Sequence, residues 1–226
     1  MIEFLKLPFS LISVWFCFIA SILIIKKYHS STWRIFQAYL FIVICVETVT
    51  HFGLHYKYIT NNQWLYNLFL PIHGVFYFYV FSKIIHLKSV KSLIAVACVL
   101  FFISMLSEGL YQGFGRFLFR SYIVQCILCI GFCIMYYYSL FQQIEYSDLL
   151  KDAAFWFAAG SLVYFGIGAS VNVFFTELVN LKIKNQIPLR QIIMGITNII
   201  MYGCWIKSFL CLQNKPDYIR QSYSQP

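Results

Sequence analysis

Charge is what this chain has least of. Of its 226 residues only 17 are Lys or Arg and eight are Asp or Glu, so 11% carry charge, against 61% that are hydrophobic and 20% that are aromatic. A soluble domain is about one quarter charged and about half apolar. With a mean hydropathy of +0.73, the composition excludes a single soluble domain and predicts an all-α, polytopic membrane helix bundle. The net charge of +9 is not gathered on one polar segment, which excludes a nucleic-acid interface; topology and anionic lipid account for it better.

A disulfide framework is also missing. The eight cysteines, at positions 17, 45, 98, 126, 129, 133, 204 and 211, all fall within or at the end of apolar runs, where reduced, buried packing thiols are expected. Cys126, Cys129 and Cys133 share a helix face, but three thiolates without a fourth ligand or polar support make an incomplete zinc site. No cofactor is expected.

What is present is a series of apolar runs. Leu7 to Ile25 holds no charge, and neither a basic start nor a small-residue cleavage site marks it as a signal peptide, so an uncleaved anchor is expected. Further runs cover about Trp33–Tyr56, Trp64–Ser82, Ser92–Ser107, Phe117–Phe141, Ala153–Thr176 and Leu189–Leu212, which predicts seven transmembrane helices in residues 1–212. The fourth run is short and needs Lys91 and Glu108 to snorkel. The glycines between Glu108 and Arg116 lack the Gly-Lys-Ser/Thr ending of a phosphate loop and read as a turn. Small residues crowd the sixth run, among them Gly160, Gly166 and Gly168, and predict close approach to a neighbour for which Gly195 and Gly203 offer a matching groove. Tyr136, Tyr137 and Tyr138 read as an interfacial aromatic belt, and His29 and His86, beside lysines at helix ends, as interfacial too.

Ten of the 17 basic residues lie on one side of such a seven-span arrangement: Lys26, Lys27, Arg34, Lys83, Lys88, Lys91, Lys151, Lys207, Lys215 and Arg220. That bias places the amino terminus outside and the carboxyl terminus inside. The remainder, 213–226, is a short, polar, basic cytoplasmic tail into which no kinase, nucleotide-binding or DNA-binding domain fits. Any intracellular output is then expected from a separate protein partner or from the bundle itself.

Ionisable groups within a membrane core are costly and mark candidate sites. Glu47, His51 and His55 recur at i, i+4 and i+8 and form one stripe on the second helix. On consecutive antiparallel helices Glu47 and His73 both fall near the midplane, where a contact between them is geometrically easy. His51 and His55 lie about 6 and 12 Å further out. Asn67, Arg120, Gln125 and Asn172 fall in outer helix halves and Asn198 near the middle of the last helix. The depths predict an outward-opening pocket for a small ligand or proton, binding through Glu47, His51, His55, His73, Asn67, Asn172 and Asn198. Tyr58, Trp64, Tyr66 and Tyr77 are candidates for its aromatic walls.

Glu47, His51 and His73 are weaker candidates for a metal, since carboxylate and imidazole suit zinc or iron. A metal-dependent intramembrane enzyme is therefore one alternative, and a small channel or membrane-perturbing effector, which requires a homo-oligomer, another. Membrane diiron oxidases and seven-helix zinc hydrolases carry further histidine motifs on later helices, whereas this chain has no histidine after His86.

The run Asn61–His73 with Phe76–Tyr79, together with Glu47, Phe155–Tyr164 and Asn198–Tyr202, resembles small bacterial seven-helix integral membrane proteins of unknown role. These are similar in design to the membrane-sensor portions of some histidine kinases. The resemblance implies a sensing role in a bacterial inner membrane and supplies no catalytic residues; with the shared depth of Glu47 and His73 and no soluble domain, the expectation is a non-enzymatic sensor or partner-binding protein.

Overall fold

The computed structural model describes residues 9–25, 31–58, 61–87, 89–142, 148–183 and 187–213. Among them are eight α-helices: α1 (Phe9–Ile25), α2 (Ser31–His55), α3 (Gln63–Ile84), α4 (Val90–Gln112), α5 (Phe119–Phe141), α6 (Ala153–Val173), the short α7 (Phe175–Asn180) and α8 (Leu189–Gln213). A 3-10 turn, Leu149–Lys151, precedes α6. A two-residue antiparallel pairing of Lys182–Ile183 with Ile187–Pro188 lies between α7 and α8. Six helices, α2 to α6 and α8, are long and apolar enough to cross a membrane. In α1 the apolar stretch Leu11–Ile25 falls below the roughly 20 residues that a span needs. Large side chains such as Phe16, Leu23, Ile103, Ile127 and Ile134 face outward, an apolar exterior that water would penalise and lipid accepts. The chain is a multi-pass helical membrane protein.

Neighbouring helices close a ring in the order α1, α2, α3, α4, α5, α6, α8 and back to α1, with α3 also touching α5. That second contact makes α3 the most deeply buried span and leaves α4 the most outward one. The interior is aromatic. Tyr39 of α2 stacks on Phe76 of α3 at 3.8 Å between ring centroids, and Trp205 of α8 meets Phe36 edge-on at 5.3 Å. In a bilayer, where lipid is as apolar as the helix surface, such packing and not water exclusion holds helices together.

Helix α6 approaches α8 closely at Gly160. A Cβ there would stand 2.8 Å from the Cβ of Cys204 and 3.2 Å from the Met201 carbonyl oxygen. The expectation of a glycine groove on α8 is corrected, because Gly195 and Gly203 face open space and Met201 and Cys204 form the surface that α6 meets.

Helix α4 is longer than its apolar run, 23 residues where Ser92–Ser107 was expected. The reason is Glu108, which does not snorkel but turns inward. Its carboxylate accepts hydrogen bonds from the backbone N–H of Arg120 (3.0 Å) and of Ser121 (2.7 Å), from Ser121 Oγ (2.6 Å) and from Gln112 Nε2 (3.2 Å). It thereby satisfies amides of the first turn of α5 and places a negative charge where the helix dipole is positive. Gly113 then ends α4 at a φ of 81°, within the glycine-containing turn.

At the far end of α5 the expected tyrosine belt divides. Tyr138 faces outward, but Tyr136 is buried and donates to Asp152 Oδ2 at 2.7 Å. Helix α6 stops at Val173 rather than Thr176 because the chain breaks direction at Phe174 before α7. The expectations for Lys26, Lys27 and His29, the first half of the 145–152 linker and the tail beyond Gln213 lie outside the described residues.

Candidate functional site

Three helical stripes converge on a cavity of about 100 Å³. Tyr39, Val43 and Glu47 come from α2 at a spacing of four residues, Tyr66, Phe69, Leu70 and His73 from two turns of α3, and Asn198, Met201 and Tyr202 from one turn of α8. Phe117, Tyr122 of α5 and Tyr164 of α6 complete the wall. Glu47, His73 and Asn198 thus share one cavity, ringed by the phenols of Tyr39, Tyr66, Tyr122, Tyr164 and Tyr202.

His51 and His55 continue the α2 stripe in sequence but not into the cavity. Residues four apart on an α-helix drift by about 40°; a stripe that faces inward at Tyr39 and Glu47 has turned away by His55, which is exposed. The two imidazoles instead lie nearly parallel, 6.3 Å apart between centroids.

His73 is buried within aromatic rings, with Tyr77 at 4.9 Å and Phe165 at 5.8 Å. Its hydrogen-bond partner is not Glu47 but Gln125 of α5, whose Nε2 lies 2.6 Å from Nδ1. An amide nitrogen can only donate, so in this contact Nδ1 is the acceptor. The Glu47 carboxylate lines the same cavity, and no hydrogen bond or ion pair joins it to any described residue. Glu47 and His73 therefore share a space, not a bond.

Asn67 serves the scaffold beside the cavity. Its Nδ2 donates to the carbonyls of Phe114 (2.8 Å) and Arg116 (2.6 Å), and its Oδ1 accepts from the Leu118 N–H (3.1 Å). The side chain closes the α4–α5 turn onto α3 and fixes Phe117 and Tyr122 in the wall. Asn172 is likewise outside the cavity, buried on α6 with its Nδ2 on the Gly168 carbonyl at 2.7 Å.

Of the expected aromatic walls only Tyr66 lines the space. Tyr58 and Trp64 face outward, and Tyr77 is fully buried with its hydroxyl 3.4 Å from Met201 Sδ. Tyr39, Tyr122, Tyr164 and Tyr202 were not singled out as walls from sequence. Their signal was their position one turn from Val43, Gln125, Gly160 and Asn198, which only a known set of inward faces makes readable.

The metal candidates divide in the same way, since Glu47 and His73 meet at the cavity and His51 does not. Among the described residues no group of three or more His, Cys, Asp or Glu side chains is arranged to hold an ion. Cys126, Cys129 and Cys133 are buried on one face of α5, the last with its Sγ 3.6 Å from the Ala158 carbonyl.

Fold and site together define a multi-pass helical membrane protein with one acid, one imidazole, one amide and five phenols around an internal cavity. Protein-family models, curated proteins and solved structures yield no match to the chain.

Proposed function

We propose that this chain is a membrane sensor or partner-binding protein whose internal cavity takes up a small ligand or a proton. The observation that carries this reading is the convergence of Glu47, His73, Asn198 and five tyrosines from α2, α3, α5, α6 and α8 on a single space. A carboxylate is expensive in a membrane core unless a partner, water or a proton compensates it, and here the cavity is the compartment that Glu47 reaches. At about 100 Å³ the space is well below the 300–1,000 Å³ of pockets for drug-sized ligands. It suits a few waters or a molecule of roughly half a dozen heavy atoms.

In this reading the chain makes seven spans, α1 among them. The amino terminus lies outside and the carboxyl terminus inside a bacterial inner membrane, as the bias of basic residues supports. The cavity then sits in the outer half, near the α2–α3 and α4–α5 turns. The resemblance to membrane-sensor portions of histidine kinases supports output through a separate partner.

Trp205 supplies the test, because its ring lies 6.0 Å from Tyr39 and 5.8 Å from Tyr202 in the cavity wall. In lipid nanodiscs, tryptophan fluorescence is expected to change on titration with pH or with small polar metabolites, and Glu47→Gln is expected to abolish the change while the circular dichroism stays native. If Glu47→Gln and His73→Ala merely lower the melting temperature and no titration moves the wild-type signal, the polar residues hold the bundle together and sense nothing.

A further inference from the structure

Two side chains of the α2 stripe line no cavity and bond no neighbouring helix. His51 and His55 occupy the last turn and a half of α2, His51 half-buried and His55 exposed. Their rings lie 6.3 Å apart between centroids with 9° between the planes. Each also meets the ring of the next residue edge-on, Phe52 at 5.3 Å for His51 and Tyr56 at 5.1 Å for His55. Among the described residues no hydrogen bond or ion pair engages either imidazole.

A polar side chain on a membrane helix ordinarily bonds an adjacent helix or faces a functional site. The first role is unfilled here, and all four ring nitrogens stay available. A spacing of i, i+4 puts two imidazoles on one helix face, the arrangement by which a helix grips a single ion. A zinc or copper ion stands about 2.1 Å from an imidazole nitrogen and hence about 3.2 Å from the ring centre, so it can bridge rings up to about 6.4 Å apart. The observed separation of 6.3 Å is within that reach. Because neither ring is held by another polar group, a small turn of both brings the nitrogens to the bent angle that such ions prefer.

The donor type selects the ion. Imidazole suits Cu²⁺, Ni²⁺ and Zn²⁺, whereas Mg²⁺ and Ca²⁺ take oxygen ligands. No third His, Cys, Asp or Glu joins the pair among the described residues, so water fills the remaining positions and the ion stays exchangeable. Lys57, exposed two residues beyond His55, is a like charge that solvent screens.

We propose that His51 and His55 form a two-imidazole site for an exchangeable divalent transition metal at the end of α2, with Cu²⁺ bound most tightly. The site is separate from the cavity, which neither ring lines, and does not depend on what the cavity binds.

The full chain, purified without a polyhistidine tag and held in nanodiscs, is titrated by calorimetry with the chlorides of copper(II), nickel, zinc and magnesium. One Cu²⁺ per chain is expected, with Ni²⁺ and Zn²⁺ weaker and Mg²⁺ at least 100-fold weaker. His51→Gln and His55→Gln are each expected to weaken Cu²⁺ at least ten-fold. The double variant is expected to be within about two-fold of either single one, because a chelate is lost with its first ligand. His86→Gln is expected to change nothing. Moving one imidazole to a different face, as Phe52→His in the His55→Gln background, is expected not to restore affinity.

The inference is overturned if none of the three transition metals binds, if the double variant binds as the wild type does, or if each single variant loses half the ions at unchanged affinity. Should the variants not fold, diethyl pyrocarbonate labelling of the wild type, read by mass spectrometry, decides. Zinc is expected to shield His51 and His55 together and to leave His86 reactive; equal labelling of the pair with and without zinc overturns the site.

Discussion

At the scale of single residues, the polar side chains in this bundle divide into those that complete backbone hydrogen bonding and those that face empty space. Asn67 and Glu108 belong to the first group. Between them they satisfy two carbonyls and three amides of the α4–α5 connection and the first turn of α5, groups that a turn and a helix start leave without backbone partners. Asn67→Leu is expected to lower stability by about 2–4 kcal/mol, measured by thermal or denaturant unfolding in mild detergent. Glu108→Ala is expected to cost about 2–3 kcal/mol, with Glu108→Gln losing roughly half as much because an amide oxygen still accepts from the Ser121 N–H. Glu47 belongs to the second group, so Glu47→Gln is expected to leave the melting temperature unchanged or raised while it removes the response of the cavity. That difference in sign separates a scaffold residue from a site residue.

At the scale of elements, the contact of α6 with α8 depends on one glycine. Gly160→Val places a side chain against the Met201 carbonyl and the Cys204 Cβ, and a loss of about 1–3 kcal/mol is expected from overpacking. Gly203→Ala adds a methyl group in open space, and by helix propensity it is expected to be neutral or to stabilise by up to about 1 kcal/mol. Parallel melting curves of the two variants check both. From sequence the two glycines look alike, as small residues on facing helices; the rotation of α8 about its own axis distinguishes them. The same reasoning applies to α2, where one stripe holds Glu47 inside and His55 outside because four residues overshoot one helical turn.

At the scale of the whole molecule, the closed ring of helices places the cavity at the end of the bundle where α2, α4 and α6 finish and α3, α5 and α8 begin. With the outside amino terminus proposed above, that end faces outward. A fluorescent reporter fused after Pro226 is then expected to fold and fluoresce in the cytoplasm, and a periplasm-dependent phosphatase inserted in the α2–α3 turn after Lys57 is expected to be active. The reverse pattern would turn the cavity toward the cytoplasm. Asn61 donates to the Gly115 carbonyl at 3.3 Å and Asn67 to that of Phe114, so hydrogen bonds tie the two turns at this end together and the insertion is best placed outside residues 61–67.

The sequence by itself determined that this is a helical membrane protein, where its long apolar runs lie and which ionisable residues are buried within them, because hydropathy and helical rise are local properties that need no partner. Depth was equally legible, and it put Glu47, His73 and Asn198 at one level. What only the tertiary structure decided is rotation and partnership. Glu47, His73 and Asn198 face one cavity while His51, His55, Asn67 and Asn172 do not, His73 bonds Gln125 and not Glu47, and Glu108 caps α5 and does not reach for the membrane surface. The physical reason is that most of these spans are apolar on nearly every side. Their hydrophobic pattern carries almost no record of which face turns inward, and the choice falls to the packing of aromatic rings and small residues between helices.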